Sequence, residues 1–164
     1  MVAMSCLVGS MCYLEPMSLA FREPSQDDCE AIDAWFLDPE LSRRLNSFVP
    51  FMDWIRLTKT LPGRSGYVCC EGNRLIGVFD LERYPDRTAS FAYFIDPALR
   101  GHGYGRDMLR AFLSSPLMTG IASLSGGCEI DNEASIRCLV ACGFHPSSDA
   151  PDADGMVNYV YRPS

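Results

Sequence analysis

The chain has 164 residues, of which 48% are hydrophobic and 21% are charged, and its formal net charge is −7. This length and composition are typical of one globular domain with a substantial core, and they exclude a disordered protein. The negative charge repels nucleic acid and anionic membranes, so neither is expected as a partner. No run of residues is apolar for long enough to predict a membrane-spanning helix.

The first sixteen residues are apolar and resemble an export signal. No lysine or arginine precedes Arg22, however, so the positively charged start of such a signal is missing. A regular pattern of strands and helices begins at Met17. We therefore expect residues 1–16 to be a peripheral extension or a mis-assigned start, and residues 17–164 to form a single domain.

In the N-terminal part, local patterns predict one strand and three helices. Leu19–Arg22 alternates weakly, as a short strand does. Residues 25–28 have the pattern of a capping box at the start of a helix. Asp38 is expected to cap a second helix with Pro39 in its first position, and residues 51–60 predict a third.

The centre of the chain predicts an antiparallel meander followed by a helix. Its three strands are expected at residues 67–70, 75–81 and 90–95, with turns at 71–73 and near Asp86. The following helix carries an apolar stripe on one face. The residues of that stripe are Met108, Leu109, Phe112 and Leu113.

The C-terminal part predicts a strand, a helix and a last strand. Residues 121–124 and 128–130 suggest a strand interrupted by two glycines. Asn132 is expected to cap the helix, and Gly143 to end it. Its buried stripe is expected to consist of Ile136, Leu139 and Val140. Residues 156–161 are expected to form the last strand, so the order of elements indicates an α+β fold.

Eight cysteines invite a disulfide or metal interpretation. They form no Cys-x-x-Cys pair, and only two histidines are present to complete a metal site. Cys138 and Cys142 lie four residues apart on a predicted helix, but no second pair matches them. We expect buried free thiols in a cytoplasmic protein, with no bound metal. The protein is expected to be a monomer or a homodimer.

Residues 96–112 read DPALRGHGYGRDMLRAF and place three glycines directly before a helix. A helix N-terminus presents unpaired N–H groups, and glycines allow a phosphate to approach them. The P-loop motif GxxxxGK[ST] does not occur in the chain. The dinucleotide motif GxGxxG is also excluded, because Arg106 stands three residues after Gly103. A glycine-rich turn without a ligand is the remaining alternative.

A third phosphate-binding pattern, [RQ]xxGx[GA], does match the chain, at Arg100, Gly103 and Gly105. It resembles the acetyl-CoA site of the GNAT superfamily of N-acetyltransferases. Residues 94–97 resemble the end of the family's fourth strand, and residues 131–137, followed by Gly-Phe at 143–144, resemble its second signature. The resemblance implies a three-layer α/β arrangement, in which helices flank a mixed, mostly antiparallel sheet.

The resemblance also implies which residues contact acetyl-CoA. Backbone groups of Phe94 and Ile95 would pair with the pantetheine arm, as an added strand does. Asn132 and Ser135 would contact the arm from the other side, unless Asn132 is only a helix cap. The loop before the helix would hold the pyrophosphate through its amides, with charge added by its two arginines, although Arg106 also suits a solvated helix position. The residues of this loop are Arg100, Gly101, His102, Gly103, Tyr104, Gly105 and Arg106.

Acetyl transfer needs a neutral amine, and an amine of pKa about 10.4 is only about one part in a thousand neutral near pH 7.4, so a base assists. Many members of the family have a tyrosine that acts as the general acid at the position of Leu139. Several have a glutamate that acts as the general base at the position of Ala89 or Ser90. Glu82 and Asp80 are the nearest substitutes for that base. A symmetric turn near Asp86 would place them opposite Ser90 and Ala92, on one face. A one-residue slip would turn both to the other face, and an exposed hairpin edge is the alternative.

The resemblance implies direct transfer of an acetyl group from acetyl-CoA to a primary amine, on a small molecule or a protein N-terminus. Asp149, Asp152 and Asp154 are candidates to receive a cationic acceptor, although a solvated loop explains them better. The alternative function is a CoA-binding regulatory module that has lost its base and does not turn over.

Overall fold

The computed structural model describes residues 18–163, so the expectation for residues 1–16 lies outside it. The described residues form seven strands and five α-helices. The strands are β1 (Leu19–Arg22), β2 (Arg64–Glu71), β3 (Arg74–Arg83), β4 (Thr88–Ile95), β5 (Ser123–Glu129), β6 (His145–Pro146) and β7 (Met156–Tyr161). The helices are α1 (Cys29–Trp35), α2 (Pro39–Leu45), α3 (Phe51–Thr60), α4 (Tyr104–Leu113) and α5 (Glu133–Ala141). Within residues 18–163, no helix has the length and apolar character to cross a membrane.

The strands form one sheet in the order β1-β2-β3-β4-β5-β7-β6. Neighbouring strands are antiparallel except for β4 and β5, which are parallel. Helices α1, α2 and α3 pack on one face of the sheet, whereas α4 and α5 pack on the other. The expected mixed, mostly antiparallel sheet flanked by helices is therefore confirmed.

Polar side chains fix the start of the first two helical segments. The amide of Ser25 donates a hydrogen bond to Asp28 at 2.7 Å, and Arg22 donates to both oxygens of the same carboxylate at 2.8 and 2.7 Å. Asp38 accepts from the amide of Leu41 at 2.8 Å at the start of α2. These side chains satisfy N–H groups that a helix start leaves unpaired. The predicted capping residues are confirmed.

Aromatic side chains pack on both faces of the two central strands. Phe94 of β4 meets Phe36 and Phe48 edge-on, with ring centroids 5.4 and 5.1 Å away. On the opposite face, Phe79 of β3 stacks on Phe112 of α4 with centroids 3.8 Å apart. Aromatic pairs of this kind add to the free energy of burial. They hold β3 and β4 between the two helical layers, so the site at the end of β4 has a rigid support.

Two predictions for the C-terminal part are wrong. Gly126 and Gly127 do not interrupt the strand, because β5 runs through both of them. A Cβ added to Gly126 would lie 2.9 Å from the ring of Phe91, so glycine is required there by close packing with β4. Val140 does not belong to the buried stripe of α5, since 55% of it is exposed, whereas Leu139 is buried.

Candidate functional site

The sheet opens between its two parallel strands. Strands β4 and β5 are paired only over Thr88–Ser90 and Ser123–Ser125. Beyond this point β5 continues beside β7. A cavity of about 180 Å³ lies between residues 91–93 of β4 and residues 126–129 of β5. We call it the inner cavity.

A larger cavity of about 610 Å³, the outer cavity, adjoins the inner one. It is bounded by α2, the end of β4, the loop before α4, and α5. The residues that line both cavities are Arg44, Leu45, Tyr93, Asn132 and Ser135. One continuous cleft therefore leads from the loop before α4 to the gap between β4 and β5.

The loop before α4 has the geometry of an anion site. Gly101 and Gly103 have φ angles of 78° and 87°, which side chains disfavour. A Cβ on Gly101 would have no heavy atom within 4 Å, and a Cβ on Gly103 would have its nearest neighbour at 3.5 Å. The space above the loop is thus open. The first turn of α4, which starts after Gly103, directs its unpaired N–H groups and its positive dipole end toward this space.

The residues expected to bind the cofactor are brought together in the outer cavity, apart from His102. Those that line it are Phe94, Ile95, Arg100, Gly101, Gly103, Tyr104, Gly105, Arg106, Asn132 and Ser135. His102 is exposed, and its Nδ1 lies 2.9 Å from the carbonyl oxygen of Arg100. The fold thus brings the loop and the start of α5 to the same cleft.

Both arginines of the loop have carboxylate partners. Arg100 donates hydrogen bonds to both oxygens of Asp38 at 2.9 and 3.0 Å, and this bonding lowers the pKa of Asp38. Because Asp38 also caps α2, Arg100 connects the loop to that helix. Arg106 makes a longer contact with Asp107, at 3.6 Å. Arg100 therefore holds the loop against α2, in addition to placing a positive charge beside the loop.

The backbone groups of β4 alternate between its two neighbours. The amide of Asp96 donates to the carbonyl oxygen of Ile76 at 2.9 Å. In an antiparallel ladder every second residue repeats this pairing, so the N–H and C=O of Phe94 face β3. The corresponding groups of Tyr93 and Ile95 then face the cleft. For a ligand that pairs as an added strand, the register favours Tyr93 and Ile95 over the expected combination of Phe94 and Ile95.

Asn132 and Ser135 lie at the start of α5. The side-chain oxygen of Asn132 accepts a hydrogen bond from the amide of Ser135 at 3.3 Å, so Asn132 caps the helix. Both residues also line the two cavities. The two interpretations of Asn132 are therefore compatible, because only its oxygen takes part in the cap.

Tyr93 lines both cavities and was missed by the sequence reasoning. Its side chain belongs to the layer of α4 and α5, and its ring lies 3.9 Å from the position of a Cβ on Gly105. Burial raises the pKa of its hydroxyl, and Cys138 adds to the rise, whereas hydrogen bonding by Ser135 opposes it. The sequence signal that could have identified Tyr93 is the alternation of side chains along β4, because it places Tyr93 on the face that α5 covers.

A charged cluster at the edge of the inner cavity was also missed. Arg44 of α2 forms ion pairs with Glu40 at 2.6 Å, with Asp131 at 2.9 Å, and with Glu129 at the end of β5. Only 13% of the Arg44 side chain is exposed. Residues 44 and 131 are 87 positions apart, so no local pattern joins them.

The two carboxylates expected to act in catalysis lie in β3. Their predicted register is confirmed, because Glu82 is opposite Ser90 and Asp80 is opposite Ala92. Neither carboxylate is among the residues that line the inner or outer cavity. They lie on the face of the sheet that α1, α2 and α3 cover.

Asp80 is buried and has two hydrogen-bond partners. Arg64 donates to it from Nε at 3.0 Å, and Trp54 donates from its indole N–H at 3.3 Å. The pairing with Asp80 raises the pKa of Arg64. Glu82 is half-buried and stands in register between Arg64 of β2 and Ser90 of β4. Because Asp80 is buried, the alternative that it lies on an exposed hairpin edge is wrong for this residue.

The cysteines that the structure describes are free thiols. Burial raises the pKa of Cys69 to about 12, and it also raises the pKa of Cys128. Raised pKa values disfavour the thiolates that metals and electrophiles require. Among residues 18–163, no group of histidine, cysteine and acidic side chains could hold a metal ion.

A family model for the Acetyltransferase (GNAT) domain matches residues 18–145 of the chain. The uncharacterized N-acetyltransferase YfmK of Bacillus subtilis (strain 168) is 22% identical over 142 residues, which cover 87% of this chain and 95% of that protein. The family match spans the loop before α4, the gap between β4 and β5, and the start of α5.

Solved structures of acetyltransferases have the same fold. A spermidine N-acetyltransferase from Vibrio cholerae, in complex with CoA and spermine, has a TM-score of 0.73 at 17% identity and covers 88% of this chain and 95% of its own. An acetyltransferase from Salmonella typhimurium that modifies the N-terminal serine of ribosomal protein L7/L12 has a TM-score of 0.75 at 18% identity, with coverages of 90% and 96%. The chain therefore belongs to the acetyltransferase (GNAT) family, and it is an acyl-CoA-dependent N-acyltransferase.

Proposed function

We propose that the protein transfers an acetyl group from acetyl-CoA to a primary amine by direct attack, without a covalent enzyme intermediate. The observation that carries the proposal is the continuous cleft between the loop before α4 and the gap between β4 and β5. An anion site at one end and exposed backbone groups along β4 are what a long donor with a pyrophosphate and an amide-bearing arm requires.

Each part of the cleft would hold one part of acetyl-CoA. The amides of residues 101–106 would bind the pyrophosphate, and Arg100 and Arg106 would add positive charge beside it. The backbone of Tyr93 and Ile95 would pair with the pantetheine arm. Asn132 and Ser135 would contact the arm from α5. Two similar structures support this placement, since both have the same overall fold and one was solved with CoA.

The thioester would then end in the inner cavity, where β4 and β5 separate. Glu129 lines this cavity but is paired with Arg44, so the attraction for an amine comes from the net charge of −7 on the whole chain. Such a field attracts a cationic amine. The similar structures come from enzymes that act on a polyamine and on a protein N-terminus, which are both primary amines. A primary amine is therefore the acceptor class that we propose.

The experiment is steady-state release of free CoA from acetyl-CoA with three sets of acceptors: polyamines, aminoglycosides and short peptides with a free N-terminal serine. We expect turnover with at least one set, and mass spectrometry should show one added acetyl group on the amine. Tight binding of acetyl-CoA without turnover on any set would favour the CoA-binding regulatory module instead. Failure to bind acetyl-CoA would contradict both functions.

We propose Glu82 as the general base, and because it lines neither cavity it would act through a water. Asp80 is the reserve, although Arg64 and Trp54 already bind its carboxylate. Glu82→Gln should then lower kcat/KM by about a hundredfold and change the acidic limb of its pH profile. Asp80→Asn should mainly lower the stability, because it leaves the guanidinium of Arg64 without its carboxylate partner.

Kinetics and urea unfolding of both variants separate catalytic loss from structural loss. Near-normal rates and pH profiles in both variants would show that neither carboxylate is the base. In that case the enzyme would only position the amine beside the thioester, and the amine would lose its proton to solvent.

A further inference from the structure

Four polar side chains line both the inner and the outer cavity, where the sulfur of acetyl-CoA would lie. Two of them have charged or capping partners, since the guanidinium of Arg44 is paired with carboxylates and the oxygen of Asn132 caps α5. The other two, Ser135 and Tyr93, carry hydroxyls that hydrogen-bond to each other. The phenol of Tyr93 is the more acidic of the two hydroxyls and therefore the stronger hydrogen-bond donor to a developing negative charge.

Tyr93 is held between the two elements that would contact the donor. On one side its ring lies beside Gly105 at the start of α4, where an added Cβ would be 3.9 Å from the ring. On the other side its hydroxyl is within hydrogen-bonding reach of Ser135 and Cys138 of α5. The backbone of the same residue faces the cleft, as shown by the register of β3 and β4. Its position is therefore fixed by packing on two sides.

We propose that Tyr93 is a catalytic residue whose hydroxyl donates a hydrogen bond to the sulfur of CoA as the thioester breaks. This inference rests on the proposed acetyl transfer. Leu139, which lines the inner cavity from α5, has no group that could do this. A hydroxyl from the neighbouring strand supplies a donor to the same space.

The reaction balances without oxidation of the protein. The amine nitrogen forms a bond to the thioester carbon, the C–S bond breaks, and its electron pair remains on sulfur. Tyr93 stabilises that developing thiolate and keeps its own proton. The proton lost by the amine ends on the thiolate through the base or water, so CoA leaves as a thiol. Because burial raises the pKa of Tyr93, its hydroxyl stays protonated at neutral and mildly alkaline pH.

The first test is the acidity of CoA bound to the protein, which needs no turnover. The thiolate of bound CoA is followed by ultraviolet absorbance against pH, and the same titration with desulfo-CoA subtracts the protein's own thiols and phenols. A donor at the sulfur stabilises the thiolate, so bound CoA should titrate at a lower pH in the wild type than in Tyr93→Phe. The matched control is Tyr67→Phe in β2, which removes a hydroxyl from the same core layer.

The second test is steady-state kinetics with an amine that the wild type acetylates. A hydrogen bond to a developing charge predicts a loss of about 10- to 100-fold in kcat for Tyr93→Phe, with KM for acetyl-CoA nearly unchanged. Tyr67→Phe should keep the wild-type kcat. An unchanged thiol titration, or an unchanged kcat in Tyr93→Phe beside an active wild type, would overturn the role of Tyr93 alone. A wild type that turns over no amine would overturn the proposed transfer and this inference with it.

Discussion

Replacing Gly103 with aspartate is expected to weaken acetyl-CoA binding by about three orders of magnitude. Gly103 precedes the first turn of α4, so the new carboxylate would occupy the space where N–H groups and the helix dipole favour an anion. Two unit charges about 4 Å apart near a protein surface repel by roughly 4 kcal/mol, which corresponds to this loss of affinity. Titration calorimetry of both proteins with acetyl-CoA measures it.

Two matched variants separate charge from shape and from backbone strain. Gly103→Asn has nearly the same size without the charge, and asparagine tolerates a positive φ, so its loss should be much smaller. Gly120→Asp adds the same carboxylate at a φ of 82°, where a Cβ would have no heavy atom within 4 Å. It should bind acetyl-CoA as the wild type does. Equal binding by Gly103→Asp and the wild type would move the anion site away from this loop.

The loop could be predicted from the sequence because consecutive residues build it. Glycine spacing, a helix start and an arginine all lie within residues 100–106, and a local pattern contains the whole arrangement. The same holds for α3, whose bounds at residues 51–60 were predicted, and for the cap at Asp38. Where the physical cause is local, the sequence is informative.

The inner cavity could not be predicted in the same way, because distant segments form it. Arg44 and Asp131 come together only when α2 packs beside the end of β5. The partners of Asp80 come from β2 and α3, so the register of β3 and β4 gave its position but not its ion pair with Arg64. Tyr93 could be placed on a face by alternation, yet its contact with α5 depends on tertiary packing.

The two glycines of β5 show how a local rule can mislead. Glycine has low strand propensity, so a pair of them indicates a break when only the neighbouring residues are considered. In the fold, the ring of Phe91 occupies the space that a side chain at Gly126 would need. Strand β5 therefore continues through Gly126, because close packing against Phe91 of β4 requires a residue without a side chain at this position.

A related contact at Gly77 predicts a large loss of stability for Gly77→Ala. The added Cβ would lie 2.3 Å from the carbonyl oxygen of Phe94 and 2.9 Å from the sulfur of Met108. The methionine can change rotamer, but the carbonyl belongs to the backbone of β4, which packing on both faces holds in place. Overpacking costs about 1–3 kcal/mol and more where backbone must move, so we expect a loss of at least about 3 kcal/mol in the free energy of unfolding.

Urea unfolding of Gly77→Ala should be compared with that of Gly127→Ala, which is the same change in another strand of the sheet. The added Cβ at Gly127 would meet only the terminal methyl of Met156, at 3.1 Å, and that flexible group can move aside. Gly127→Ala should therefore remain within about 1 kcal/mol of the wild type, since the change also reduces the entropy of the unfolded chain. Because β4 forms one wall of the cleft, folded Gly77→Ala should also bind acetyl-CoA more weakly. If the two variants lose equal stability, β3 and β4 can separate at little cost, and the rigid wall inferred for the cleft does not exist.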